Sequence, residues 1–350
     1  MLVRNKFQVE EEISRGAFGV IYRGRVVAPT RMEVASGAPV LVAIKYEYSD
    51  VSILRHEATI LHLCNQHRVD GVPRMHWYGQ QAKLATFGQQ ASPPTTCPSM
   101  YSVPCMVMTY YDMSLPQYMI RLKKLSTHIE HEIEHIIDRI LSVLNQIHDL
   151  YVVHRDIKPD NIMVSMRSSQ QQLTTESTDG AHSNLVDDKG QVYLIDFGLA
   201  TFYVDGATGD HVNDTKDHRE LVGSPLYASY NVHMGHTHSR RDDLIQLGYV
   251  YLYMLRGGSV PWQGQHDRGL VGQGNRGQYD QGPVDQDASR GPTIDTLSPG
   301  QILHPANQRR AQAKQLDLVV GAHPSMHYQK YMKYVYGLAF DEDPEYGLSA

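Results

Sequence analysis

The stretch His154-Arg155-Asp156-Ile157-Lys158-Pro159-Asp160-Asn161 lies between two apolar runs, Val152-Val153 before it and Ile162-Met163-Val164 after it. This pattern predicts a short polar loop held between two buried anchors, with its side chains displayed on a rigid mount. The loop offers a carboxylate at Asp156, an ammonium at Lys158 and a side-chain amide at Asn161. The bland alternative is a polar turn between two elements, so the weight rests on what surrounds the loop.

Downstream, Gln191–Ile195 reads as a strand that delivers Asp196-Phe197-Gly198. A carboxylate after a buried strand suits a magnesium ligand, and the glycine permits the turn that presents it. Upstream, Val40–Lys45 is an apolar strand ending in a lysine, and Glu57 lies in Ile53–Leu61, whose apolar residues recur at helical spacing. Alone, Lys45 and Glu57 could be a surface ion pair of little worth. Earlier still, Phe7–Ile13 reads as a strand leading into Ser14-Arg15-Gly16-Ala17-Phe18-Gly19-Val20-Ile21-Tyr22. That is a glycine loop between two strands, unlike the strand-to-helix setting of a dinucleotide site. Cys105–Met108 is a buried strand running into Thr109-Tyr110-Tyr111, and Ile129–Leu150 is an amphipathic helix with Ile133, Ile136, Ile137, Ile140, Leu144 and Ile147 on one face.

In this order the motifs resemble those of protein kinases: a glycine loop, a strand lysine with a helix glutamate, H-R-D-x-K-x-x-N and D-F-G. Further on, Gly223-Ser224-Pro225-Leu226-Tyr227-Ala228-Ser229-Tyr230-Asn231 stands where most kinases carry A-P-E. Ser239-Arg240-Arg241-Asp242-Asp243-Leu244, Leu247-Gly248-Tyr249, Val260-Pro261-Trp262-Gln263-Gly264 and Phe340–Tyr346 follow. They are similar to the S-I-N, S-R-R-D-D-L, L-G-Y, L-P-W-Q-G and F-D-D-x-P-D-Y stretches of the casein kinase 1 family. The resemblance covers about residues 5–264 and 315–346.

It implies an α+β, bilobal protein kinase fold. Residues 1–108 would form a small β-rich lobe with an insertion at 79–104; residues 109–350 would form the hinge and a larger, mainly helical lobe with insertions at 165–190 and 264–314. It also implies transfer of the ATP γ-phosphoryl group to serine or threonine hydroxyls of protein substrates, acidic ones included, with Mg2+ as cofactor. Asp156 would orient or accept the hydroxyl proton, Lys158 would offset charge on the transferring group, and Asn161 and Asp196 would hold the metal. Lys45, fixed by Glu57, would grip the phosphates under Ser14, Gly16 and Gly19. Ile21, Ala43, Met108, Thr109 and Tyr111 would line the nucleotide pocket, and Asp243 would brace the catalytic loop.

Three departures stand out. Ser14 replaces the first glycine of the loop, Leu226 replaces an arginine that in the family helps bind an anion near the target hydroxyl, and the chain stops short of a further helix. Lys216 and Arg219 remain in register with basic residues of the family. Ser14 and the short end raise the alternative of a catalytically weak, pseudokinase-type scaffold.

Composition narrows the rest. The 350 residues are 41% hydrophobic, enough for a sizeable core, and carry a formal charge of −6, which provides no global basic field for nucleic acid or acidic membrane. Cys64, Cys97 and Cys105 are too few and too unevenly spaced for a disulfide framework or a structural zinc site. No apolar run is long enough to span a bilayer and no leader precedes Phe7, so a monomeric cytoplasmic or nuclear protein is expected. One motif points elsewhere: His131-Glu132-Ile133-Glu134-His135 matches the H-E-x-x-H zinc-protease pattern. Both histidines fall on the polar face of their helix, whereas a catalytic zinc needs a dry cavity and a third ligand. In a chain with 19 histidines the match reads as coincidence.

Overall fold

The computed structural model describes residues 1–16, 19–27, 40–48, 53–82, 102–125, 129–165, 191–215, 221–263 and 305–346. The chain forms two compact units, Met1–Ser126 with Asp160–Ala200, and Thr127–Pro159 with Thr201–Ala350.

In the first unit, β1 (Leu2–Val3), β2 (Phe7–Arg15), β3 (Gly19–Val26), β4 (Leu41–Glu47), β5 (Met75–Ala82) and β6 (Ser102–Thr109) form one antiparallel sheet in the order β1-β2-β3-β4-β6-β5. Strand periodicity sorts β4: Val42, Ile44 and Tyr46 join the buried cluster with Phe7, Val20 and Val107, so Ala43 and Lys45 point to the opposite face. In register, Lys45 lies opposite Ile21 and Met106, and Ala43 opposite Met108. Directly opposed residues share a face, so the sheet gathers these expected pocket residues on one side.

Helix α1 (Ile53–Gln66) buries Leu54, Glu57, Ala58, Ile60, Leu61 and Cys64, a helical stripe that carries one carboxylate inward. A two-stranded pair, β8 (Ile162–Ser165) with β9 (Gln191–Leu194), belongs to this unit as well; Val164 N–H donates to Met113 O and Leu194 N–H to Gly71 O. The unit is therefore discontinuous in sequence, in contrast to a simple division after residue 108.

The expected insertion at 79–104 needs correction at both ends. Strand β5 continues to Ala82 and β6 begins at Ser102, with Gln80 opposite Pro104 and Gln81 opposite Val103. Polar side chains there suggested a loop, but ladder pairing satisfies backbone groups whatever the side chains are. Residues 83–101, 166–190 and 264–304, the remainder of the three expected insertions, lie outside the described residues.

The second unit is mainly helical. Along α3 (Ile129–Asp149; α2 is Leu115–Leu125 of the first unit), the expected isoleucine and leucine face is buried. A short pair, β7 (Val152–Val153) with β10 (Thr201–Phe202), anchors the start of the 154–161 loop. After α4 (Tyr230–His233), α5 (Arg240–Leu255) is buried almost all round, as its apolar composition on every face predicts. It packs with α3 and with α8 (Met326–Gly337), where Tyr331 Oη donates to Leu244 O at 2.8 Å. Between them run α6 (Pro305–Ala313) and α7 (Leu316–Val320). The insertion expected at 264–314 thus ends in an ordered helix followed by Lys314, which is fully buried. Low hydrophobicity hid this segment, because its burial serves polar contacts.

No helix among the described residues is long and apolar enough to cross a membrane. Cys64 and Cys105 are free and buried; Cys97 lies outside the described residues.

Candidate active site

In the first unit the strand lysine, the helix glutamate and the D-F-G aspartate converge. Lys45 Nζ lies 2.7 Å from Glu57 Oε2 and 3.3 Å from Asp196 Oδ1. Glu57 is wholly buried, while Lys45 and Asp196 keep 23% and 32% of their side chains exposed, so the charged face opens outward from Asp196. Burial by itself would lower the Lys45 pKa, but the Asp196 and Glu57 carboxylates override it and hold the ammonium above the ordinary lysine range. The surface-pair reading therefore fails for Glu57.

Asp196 has left-handed backbone angles, φ 67° and ψ 75°, which a short polar residue tolerates better than most. The strain re-aims its carboxylate off the end of β9, and the Phe197–Leu199 turn that follows packs on α1. Asn161 comes alongside through the β8–β9 pair, its carbonyl accepting Ile195 N–H at 2.9 Å. Two hard oxygen donors, Asn161 Oδ1 and the Asp196 carboxylate, thus stand on adjoining strand ends, a donor set that fits magnesium.

The glycine loop divides into two cases. A side chain at Gly19 would place its Cβ 2.1 Å from Tyr46 O, so this glycine is required by strand pairing. At Gly16 a Cβ would meet no atom within 4 Å among the described residues beyond its own chain neighbours, so their packing does not demand glycine there. Gly16 N–H closes the turn on Gly19 O at 2.9 Å, and Ser14 sits within β2 opposite Ile21. Past β6, Thr109 N–H is taken by Arg74 O at 2.9 Å, and Tyr111 stacks on Tyr193 with centroids 4.1 Å apart.

In the second unit the loop builds a different arrangement. Asp156 is buried; its Oδ1 accepts Ser224 N–H at 2.9 Å and its Oδ2 lies 2.6 Å from Lys158 Nζ. Beneath it, Asp243 on α5 accepts the N–H groups of His154 at 2.7 Å and Arg155 at 2.9 Å. The same carboxylate takes His148 Nε2–H at 3.0 Å and His238 Nε2–H at 2.9 Å. Burial works against its ionisation, yet the two histidine bonds hold it well below the ordinary carboxylate range. Gln246, one turn on, accepts Ile157 N–H at 2.9 Å and donates to Arg155 O at 3.2 Å. The loop is thus held largely by its main chain, while the Asp156 and Lys158 side chains pair with each other.

Gly223 explains the fit next to Asp156: it has φ +88°, and a Cβ there would lie 2.5 Å from Arg155 O. The stretch after it is tied down by Asp242, whose Oδ1 accepts Ser229 Oγ–H at 2.5 Å and Asn231 Nδ2–H at 3.2 Å. Residues Ser229 and Asn231 thereby acquire a physical role that their position in the sequence did not disclose.

Sequence reasoning anticipated Asp243 but missed His148, His238 and Gln246. His148 Nε2–H points at a carboxylate, so Nδ1 must accept, and Tyr346 Oη meets it at 2.5 Å. The nearest signal was the Tyr ending the late F-D-E-D-P-E-Y stretch. Lys216 and Arg219 lie outside the described residues. In the H-E-x-x-H segment, Glu134 pairs with His327 at 2.6 Å, and no group of three or more potential metal-binding residues occurs among the described residues.

A model of the protein kinase domain matches residues 7–315. The chain is 28% identical over 358 residues to casein kinase I homolog 3 of Saccharomyces cerevisiae, covering 97% of this chain and 56% of that protein. It is 27% identical over 350 residues to casein kinase I homolog 2 of Schizosaccharomyces pombe, covering 98% and 60%. Casein kinase I homolog 1 of the same organism is 27% identical over 348 residues, covering 97% and 58%. The chain spans less than two thirds of the length of these relatives.

Proposed function

The chain belongs to the protein kinase family, and on that premise we propose that it is a casein kinase 1-like enzyme transferring the ATP γ-phosphoryl group to serine or threonine hydroxyls of proteins. The observation that carries this reading is the Lys45–Glu57–Asp196 cluster. An ammonium held between a buried carboxylate and a half-exposed one is placed to exchange part of its pairing for phosphate oxygens.

Lys45 grips the α- and β-phosphates and Glu57 keeps it aimed. Gly16, where no described residue fills the Cβ space, lets the loop backbone approach the triphosphate. Ile21, Ala43, Met108 and Tyr111 supply the adenine pocket. Because the Thr109 N–H is engaged with Arg74, Thr109 serves the nucleotide through other atoms. Asn161 and Asp196 hold magnesium, which supplies charge neutralisation on the phosphates when bound. Asp156 orients the attacking hydroxyl and takes its proton; Lys158, already on the Asp156 carboxylate, offsets charge on the transferring group.

Replacing Asp156 with asparagine tests the assignment. Phosphotransfer to a peptide should fall by about a hundredfold or more, with ATP binding retained. Turnover that survived the change would overturn the role given to Asp156, whereas ATP binding with no turnover in the unmodified chain would favour the scaffold alternative.

A further inference from the structure

Lys314 is the most deeply buried cation described, with no exposed surface, and every partner described for it is neutral. Its Nζ lies 2.6 Å from Ala228 O, 3.2 Å from Pro225 O and 3.1 Å from His233 Nε2. The rings of Tyr249 and Trp262 wall the same nitrogen, with centroids at 4.9 and 5.4 Å. A polar amino group buried so deeply is costly unless it is hydrogen-bonded, so its retention calls for a task.

The task follows from a count of acceptors. Ser224–Ala228 makes a tight turn in which Tyr227 and Ala228 N–H both donate to Ser224 O. Its other carbonyls face inward and need donors from outside the turn. Trp262 Nε1–H serves Leu226 O at 2.8 Å, the Lys314 Nζ–H groups serve Ala228 O and Pro225 O, and His233 Nε2–H shares Pro225 O. His233 Nε2 lies 3.0 Å from Pro225 O, which can only accept, so Nε2–H donates there and the two carbonyls are the acceptors that face Nζ. Burial, with Arg310 nearby, pushes Lys314 well below the ordinary lysine range. His233, buried beside the same nitrogen, is pushed down to about 3 by burial and by Lys314, so its ring is neutral, with Nε2–H on Pro225 O at 3.0 Å. The lysine is itself fixed, since Tyr336 Oη donates to Lys314 O at 2.8 Å.

The turn so held begins with the residue whose N–H donates to Asp156 Oδ1 at 2.9 Å. We propose that Lys314 is a positioning residue for phosphotransfer: its Nζ–H groups clasp the Pro225 and Ala228 carbonyls, and through that turn keep Ser224 N–H on the Asp156 carboxylate. The proposal rests on the reading of Asp156 given above, but the clasp itself can be tested without any turnover.

Lys314→Met keeps the length and removes all donors; Lys314→Gln keeps a polar group without the charge. Amide exchange read by segment, on the full chain, should show Ser224, Tyr227 and Ala228 exchanging at least tenfold faster in Lys314→Met. Exchange within α3 and α5 should stay unchanged. In the same variant kcat for a peptide should fall about tenfold or more while KM for ATP stays within about twofold, consistent with leaving buried carbonyls without their donors. If Lys314→Met does not fold, Lys314→Gln carries the test, with at least threefold changes in the same two readouts. Unchanged exchange at 224–228 in whichever variant folds would overturn the clasp. Faster exchange with unchanged kcat would overturn its link to Asp156. An unmodified chain without phosphotransfer would instead refute the functional reading, with the exchange result still deciding the clasp.

Discussion

The two units hold their key carboxylates in opposite ways. Glu57 and Asp196 of the first unit are balanced by one full charge, Lys45, and two of the three side chains reach solvent. Asp243 of the second is wholly buried and is satisfied by backbone N–H groups and histidines, with His148 kept neutral by burial. A charge balanced by an exposed partner can be re-paired when a ligand arrives. A charge satisfied by fixed dipoles cannot be, and it rigidifies whatever supplies them. The first arrangement suits binding and release; the second suits a permanent mount.

The largest expected break is Lys45→Met. It should lower kcat/KM for ATP by on the order of a hundredfold or more, as removal of a preorganised charge at a phosphate site does. Stability at neutral pH should change far less, because Glu57, which burial already pushes up, can take a proton. A raised folded pKa means the Lys45 ammonium contributes its stability in full below about pH 10.4 and loses it as pH rises through the folded value. The variant should therefore show a flatter alkaline decline in denaturant titrations. A variant that kept its ATP kinetics would remove the distinction between the two clusters.

Asp243→Ala should do the reverse and strike stability first. Leaving four donors without a buried acceptor costs about 3 kcal/mol or more, read from urea unfolding midpoints. The folded pKa of Asp243 is depressed, so its contribution is present above about pH 4 and is lost as pH falls below that. The acid limb of the stability curve should be shallower in the variant. An equally steep limb would show that other carboxylates govern acid unfolding.

A third test concerns Leu226 in the second unit. Leu226, whose carbonyl is held by Trp262, offers no charge for a phosphate upstream of the target hydroxyl. The unmodified chain should therefore prefer phospho-primed over unprimed acidic peptides only weakly. Leu226→Arg should raise the ratio of specificity constants by about tenfold. A large ratio before any substitution would place the anion on another group.

The smallest effect is reserved for the outer end of the Asp243 network. Tyr346→Phe removes the donor to His148 Nδ1 and should cost about 1 kcal/mol, with a modest fall in kcat and no change in KM for ATP. Loss of ATP affinity in this variant would mean the tyrosine acts through something other than the mount.

The sequence alone singled out the residues that form the Lys45–Glu57–Asp196 cluster of the first unit and the Asp156–Lys158 pair of the second. Lys45, Glu57, Asp156, Asn161 and Asp196 sit in short stretches whose chemistry and flanking apolar runs are local in sequence. The glycine loop was legible as a turn, yet only packing separates Gly19, excluded from bearing a Cβ by Tyr46 O, from the open Gly16. The insertion bounds were misjudged because polarity was read as looseness, although ladder bonds at Gln80–Gln81 and burial at Lys314 need no apolar side chain.

What the sequence determined by itself, then, is the order of the chemical groups and the periodicities that place each on a strand, helix or loop. Apolar spacing selects the buried face of an element, and a motif such as His154–Asn161 needs nothing distant to be recognised. Partner choice among buried polar groups was decided only by the tertiary structure. His148 and Asp243 are 95 positions apart, and Ala228 and Lys314 are 86 apart, and no local pattern pairs them. A buried donor or acceptor must find a partner from whatever the packed core brings within reach, and that supply exists only once the helices have closed around it.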